Sequence, residues 1–169
     1  MRKLVWNSGI LMCLLAGCIK ADKNQNQCNY PDSIITAPAA EVSAVQSYLT
    51  SNNITATQHP TGFFYTITNQ GTGPAIVNLC STLRVKYIGK LTNGSVFDDT
   101  GASAVDFQLG QVITGWQKGM PLISKGGKIT LYIPPTLGYG NIDKRNSAGV
   151  VVIPANSILI FDIELIDIG

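Results

Sequence analysis

The sequence predicts an α+β domain in which several antiparallel strands surround one short, very apolar helix. Three observations carry this. Leu83, Val85 and Tyr87 alternate with Arg84 and Lys86, the period-two pattern of a half-buried strand. The same alternation returns in KITLYIP (Ile129, Leu131, Ile133) and in SILIFDIELIDI (Leu159, Phe161, Ile163, Leu165). Between these strands lies FQLGQVITGWQKG, Phe107 to Gly119, where Val112, Ile113 and Trp116 stand at helical spacing with Met120 one turn further on.

At 169 residues the chain has room for one domain with an ordinary core, or one domain plus a tail. A hydrophobic content of 45% beside seventeen glycines and eight prolines argues for a globular, turn-rich protein rather than disorder. The N-terminus reads as an address. Arg2 and Lys3 precede an apolar run from Ile10 to Ala16, shorter than the roughly 20 residues that span a bilayer, as in a secretory signal. Leu15-Ala16-Gly17-Cys18 matches the bacterial lipobox, so residues 1–17 are expected to be a cleaved lipoprotein signal and Cys18 the lipidated first residue. Two or more acyl chains give a stable membrane anchor. Without Arg2 and Lys3 the twelve basic residues fall to ten, equal to the ten acidic ones. A near-neutral chain without a basic patch offers no electrostatic support for nucleic-acid binding.

An extracytoplasmic address permits disulfides. Cys13 leaves with the signal and Cys18 carries lipid, which leaves Cys28 and Cys80. They are candidates for one bridge tying the N-terminal arm to the domain, two free buried thiols being the alternative. Half of a metal site is a poor third, because His59 has no ligand partners at metal spacing.

Residues 18–37 are polar, rich in Asn, Gln and Lys, lack apolar periodicity, and are expected to be a tether. Residues 38–53 carry Val42, Val45, Tyr48 and Leu49 at helical spacing, with Pro38 suited to the first turn and Asn52-Asn53 to the end. This short amphipathic helix is expected to pack on the domain. His59-Pro60-Thr61-Gly62 is a turn, followed by a strand from Phe63 to Thr68, the first of a domain spanning 60–169. Asn93-Gly94 is a hairpin dipeptide, with Val96-Phe97 beginning the return strand. Gly115 lies inside the predicted central helix, at a cost of about 1 kcal/mol against alanine; another backbone or a ligand is expected to come close there. The polar stretch from Asn141 to Val152 reads as a loop.

Most catalytic constellations are excluded. A Ser-His-Asp or Cys-His arrangement would have to use His59, a turn residue outside the dense motif region. Gly126-Gly127 leads into a strand and cannot cradle a phosphate at a helix start. Asp98 and Asp99 are adjacent on a strand and point to opposite faces, unlike the paired carboxylates of a glycosidase. What the chain does hold is a stock of aromatic residues beside turns: Tyr87, Phe97, Phe107, Trp116, Tyr139 and Phe161. Such a set builds either core or a concave apolar pocket with a few polar tips.

Taken in order, VKYIGKLTNGSVFDDT, FQLGQVITGWQKGMPLISKGGKITLYIPPTLGYG and IPANSILIFDIEL resemble the FKBP-type peptidyl-prolyl isomerases over about Thr61 to Ile168. The resemblance implies an FKBP-like twisted antiparallel sheet of five to six strands wrapped about a short central helix, with a proline pocket between them. It implies rotation of X-Pro bonds, without cofactor or metal, in proline-containing unfolded or partly folded chains, with macrolides as candidate inhibitors. Trp116 would be the pocket floor; Tyr87, Phe97, Phe107, Val112, Ile113 and Phe161 its walls. Tyr139 would offer its hydroxyl and Ile153 its backbone N–H to substrate carbonyls. Asp98 would be the polar wall residue, bonding near the twisted amide or to Tyr87. The sequence departs from the family at Thr114, where many bacterial members have proline, at Gly138, where alanine is frequent, and in the polar 141–152 loop over the pocket. The helix beginning at Pro38 is much shorter than the dimerising helices of some relatives, so a monomer is expected. The alternative function is a non-catalytic FKBP-like binding or chaperone module.

Overall fold

The computed structural model describes residues 28–76 and 78–169. The signal segment, Cys18 and the first part of the tether lie outside the described residues. The main sheet joins β1 (Thr57–Gln58), β2 (Phe64–Asn69), β3 (Thr82–Leu91), β4 (Val96–Asp99), β5 (Val105–Gln108), β6 (Lys128–Ile133) and β9 (Leu159–Ile168). It is antiparallel, in the spatial order β1-β2-β6-β9-β3-β4, with β5 also on β3. Seven strands stand where five to six were expected. The two-residue β1 extends one edge, and the ten-residue β3 is long enough to hold two short partners end to end, β5 along Thr82–Val85 and β4 along Ile88–Lys90.

The period-two patterns decide what each face meets. On one face Leu83, Val85, Ile129, Leu131, Ile133, Leu159, Ile163 and Leu165 are buried in one cluster with Trp116 and Met120. On the other, Phe64, Tyr132 and Ile160 stand in register across β2, β6 and β9. They bury Val45 and Leu49 of α1 (Ala39–Ser51). Pro38 caps this helix and Asn53, at φ 55°, turns the chain out of it. Both Glu41 carboxylate oxygens hold Thr136, accepting its N–H at 2.8 Å and its hydroxyl at 2.7 Å.

The central helix is shorter than the apolar spacing suggested. α2 runs Thr114–Gly119, and Val112 and Ile113 lie before it in extended backbone. A 3-10 turn at Leu109–Gln111 ends there, and the Ile113 carbonyl accepts the Trp116 and Gln117 N–H groups (2.9 and 3.1 Å), as a helix-capping residue does. The close neighbour of Gly115 is a side chain and not another backbone. A Cβ there would stand 2.6–2.8 Å from Ile133, and one on Gly119 would meet Leu131 at 2.7 Å. The two glycines let α2 lie directly on β6.

Residues 28–32 and Ala37 are held on the domain instead of standing off it. Cys28 and Cys80 form a disulfide, 52 residues apart in sequence. The Tyr30 ring covers Gly110 so closely that no Cβ would fit. Its hydroxyl donates to Gln108 Oε1 and accepts from Gln111 Nε2, each at 2.9 Å, and Asp32 pairs with Lys118 at 2.6 Å. The 141–152 segment, read as a loop, contains a small hairpin of β7 (Lys144–Arg145) and β8 (Val151–Ile153).

Candidate functional site

A cavity of about 560 Å³ opens between the sheet and α2. β3 supplies Tyr87, β4 Phe97 and Asp98, and β5 Phe107. The approach to α2 adds Val112 and Ile113, and the helix itself Trp116. Tyr139, Ile153 on β8 and Phe161 on β9 also line it. All ten residues expected from the sequence therefore line one cavity. Five of them come from strands of the same sheet, where alternation points Tyr87, Phe107 and Phe161 inward.

Trp116 is 3% exposed and sits at the centre of an aromatic box. Tyr87 and Phe161 meet it edge to face, centroids 5.3 Å away, and Phe107 does so at 5.9 Å. Such T-shaped pairs are the favoured geometry of ring quadrupoles, each worth about 0.5–1.5 kcal/mol beyond area burial. Its Nε1 is buried without a partner among the described residues. Phe97 leans edge-on against Phe161 at 5.4 Å. The room for it comes from Gly89, where a Cβ would overlap the Phe97 ring and approach Phe161 at 3.1 Å.

The polar tips are few. The Tyr87 hydroxyl donates to Asp98 Oδ2 at 2.5 Å, and Asp98 Oδ1 accepts the Asp99 N–H at 3.0 Å. Burial, then the hydrogen bond and charge of Asp98, push the Tyr87 hydroxyl well above the usual tyrosine range. Burial and then Asp98 also raise Tyr139. Both phenols are thus held protonated as hydrogen-bond donors. Asp99 points away, into a groove of about 430 Å³ on the opposite sheet face beside Lys86, Lys128 and Glu164.

His59 takes no part. It stacks on Phe63 with centroids 4.4 Å apart, its Nδ1 lies 2.8 Å from Thr61 Oγ1, and it lines a different cavity. Burial, then Lys118, lower its pKa. Among the described residues no group of three or more His, Cys, Asp or Glu gathers at metal-binding distance. An enclosed apolar wall with phenolic donors and one engaged carboxylate can bind a small apolar ring and hold the carbonyls beside it.

Sequence reasoning missed Gly89, Gln111, Lys144 and Val152. A glycine inside a strand is a signal of close approach, so Gly89 was legible in principle. Lys144 was not, since nothing in a polar run shows which side chain turns inward. It does so here, with its Nζ 4.7 Å from the centre of the Tyr139 ring.

Comparison with known proteins agrees with this geometry. The family described as FKBP-type peptidyl-prolyl cis-trans isomerase matches residues 73–166. The FKBP-type peptidyl-prolyl cis-trans isomerase FkpA of Buchnera aphidicola is 47% identical over 109 residues, 63% of this chain and 41% of that protein. The crystal structure of FkpA from Escherichia coli superposes with a TM-score of 0.64 at 37% identity, covering 77% of this chain and 60% of that one. AtFKBP13 superposes at 0.61 with 35% identity, covering 68% of this chain and 99% of that one. The chain spans less than half the length of the curated relatives it matches.

Proposed function

The chain belongs to the FKBP-type peptidyl-prolyl cis-trans isomerase family, and from that premise we propose that it accelerates rotation of X-Pro bonds in extracytoplasmic polypeptides as they fold. The observation that supports the reading is the convergence of the six aromatic residues and the Tyr87–Asp98 pair on one cavity.

The mechanism follows from amide physics. Rotation has a barrier of about 20 kcal/mol and takes roughly 10–100 s unaided. Planarity comes from resonance that places charge on the carbonyl oxygen, and water stabilises that charge. With the prolyl ring over Trp116 and walls of Tyr87, Phe97, Phe107, Val112, Ile113 and Phe161, the amide loses water and the less polar twisted form gains. Tyr139 donates to a substrate carbonyl, and so does the backbone N–H of Ile153. The Ile113 N–H, which finds no acceptor among the described residues, offers a further donor. Asp98 orients Tyr87 at the cavity wall. A ~10⁴-fold acceleration needs about 5.5 kcal/mol of such differential stabilisation, with no covalent step.

NMR exchange or a protease-coupled assay on an Ala-Pro peptide tests this. Wild type should speed cis/trans exchange, and Phe97→Ala and Tyr139→Ala should each lower kcat/KM by about tenfold or more, the loss of roughly 1.4 kcal/mol of transition-state binding. An unchanged exchange rate with wild type would mean that the cavity only binds.

The lipobox supports anchorage to a bacterial membrane through Cys18, and the Cys28–Cys80 bridge fits an oxidising compartment. No helix of the described residues is long and apolar enough to cross a membrane. The chain acts as a monomer, and macrolides are the candidate small-molecule ligands of the cavity.

A further inference from the structure

The cavity mouth carries two charges of opposite sign. Asp98 on β4 and Lys144 on β7 both line it, and they differ in how far their polar atoms are already engaged. Asp98 has both oxygens engaged, by the Tyr87 hydroxyl at 2.5 Å and the Asp99 N–H at 3.0 Å. Lys144 is half-buried with its Nζ over the Tyr139 ring, and makes no ion pair among the described residues. Its neighbour on the hairpin is different. Arg145 reaches Asp143 at 3.3 Å and the Gly149 carbonyl at 2.9 Å, while the other Asp143 oxygen accepts the Ala155 N–H at 2.8 Å. One hairpin cation is therefore neutralised on its own element, and the other is presented to the cavity.

We propose that Lys144 is a specificity-determining residue, which favours X-Pro bonds preceded by an acidic residue over those preceded by a basic one. This rests on the isomerase reading above. The prolyl ring belongs in the apolar depth over Trp116, so the residue on its N-terminal side is left at the mouth. Tyr139, the donor to a substrate carbonyl, has Lys144 on its ring face, which brings the side chain beside that carbonyl within reach of the ammonium. A carboxylate there gains an ion pair; a second ammonium meets a like charge. Because the mouth is open to water, the gain is that of a surface pair, about two- to five-fold in kcat/KM, and it shrinks as salt is raised.

The test compares Ala-Xaa-Pro-Phe peptides with Xaa as Glu, Leu or Lys, by NMR exchange for kcat/KM and by NMR titration for Kd. The Glu:Lys ratio should fall about two- to five-fold from wild type to Lys144→Met, fall further in Lys144→Glu, and lose its dependence on residue 144 at about 1 M salt. Binding of the Leu peptide and the dispersion of the protein's own spectrum report whether each variant is folded. A ratio equal in all three proteins, in both rate and affinity, overturns the proposal. If wild type accelerates no peptide, affinity still decides. Charge-dependent binding that follows residue 144 keeps the selection and removes the isomerase reading, and charge-blind binding removes both.

Discussion

Tyr87 is 8% exposed, packs against the rings of Phe107, Trp116 and Phe161, and still spends its hydroxyl on Asp98. Its neutral form is favoured in the fold, first by burial and then by Asp98. The sign follows from linkage. An unfolded tyrosine ionises near pH 10 while the folded one holds its proton, so the folded state binds more protons above that pH. The contribution is fully present below about pH 10 and is lost as pH rises from there towards the higher folded pKa, at up to about 1.4 kcal/mol per pH unit. Thermal melts from about pH 8 to 11.5 should fall more steeply above about pH 10 for wild type than for Tyr87→Phe; coincident slopes would show that this phenol is not the group that titrates. At this scale the sequence was informative about side chains that announce themselves. Aromatics beside turns and one aspartate were legible, while Gly89 mattered only through the Phe97 ring laid over it.

Among the elements, α2 shows how a correct residue set can sit on an incorrect segment boundary. Val112, Ile113 and Trp116 share the cavity, yet the helix begins only at Thr114. Spacing alone could not separate a longer helix from an extended approach that delivers the same side chains. The boundary makes a prediction at Thr114, where many family members carry proline. Ile113 already has φ −61° and ψ 152°, the extended conformation that a following proline requires, and the first helical position has no intrahelical use for its N–H. Thr114→Pro should therefore stabilise the domain by about 0.4–1 kcal/mol, read from the midpoint of urea unfolding at unchanged slope. A lower midpoint would mean that the Thr114 N–H or side chain is engaged. The β7–β8 hairpin was illegible for a different reason. Its strands are two and three residues long, without alternation, and Asn146 holds the turn by accepting the Ala148 and Val150 N–H groups at 3.1 and 3.0 Å. Side-chain-to-backbone bonds of this kind leave no periodic trace.

For the molecule as a whole, the described part of the arm is fixed to the domain. Tyr30 and Asp32 hold residues 28–32 on the loop and helix that carry the cavity wall, and the disulfide bolts the same stretch to Cys80. Cys18, the proposed lipid site, stands ten positions before Cys28 of that bolt in the sequence. Cys18→Ala should move the protein from the membrane pellet to the soluble fraction of cells without altering kcat/KM; continued pelleting would sink the anchor.

Binary patterning by itself determined β3, β6 and β9, the face that each turns to the central core and the apolar stretch at the centre, because period-two and helical spacing translate directly into which side chains meet water. The family motifs likewise singled out ten of the residues that line the cavity. Only the tertiary structure decided that side chains from Tyr87 to Phe161 close on one space, that Asp98 bonds Tyr87, and that Lys144 faces Tyr139 while Arg145 does not. Those are consequences of strand register, sheet twist and the seat of α2 on Gly115 and Gly119, which bring together residues whose separation along the chain carries no information about their distance. The stretch around Trp116 belongs to both: its composition marks it as buried, and the rings packed around it make that burial part of a cavity wall.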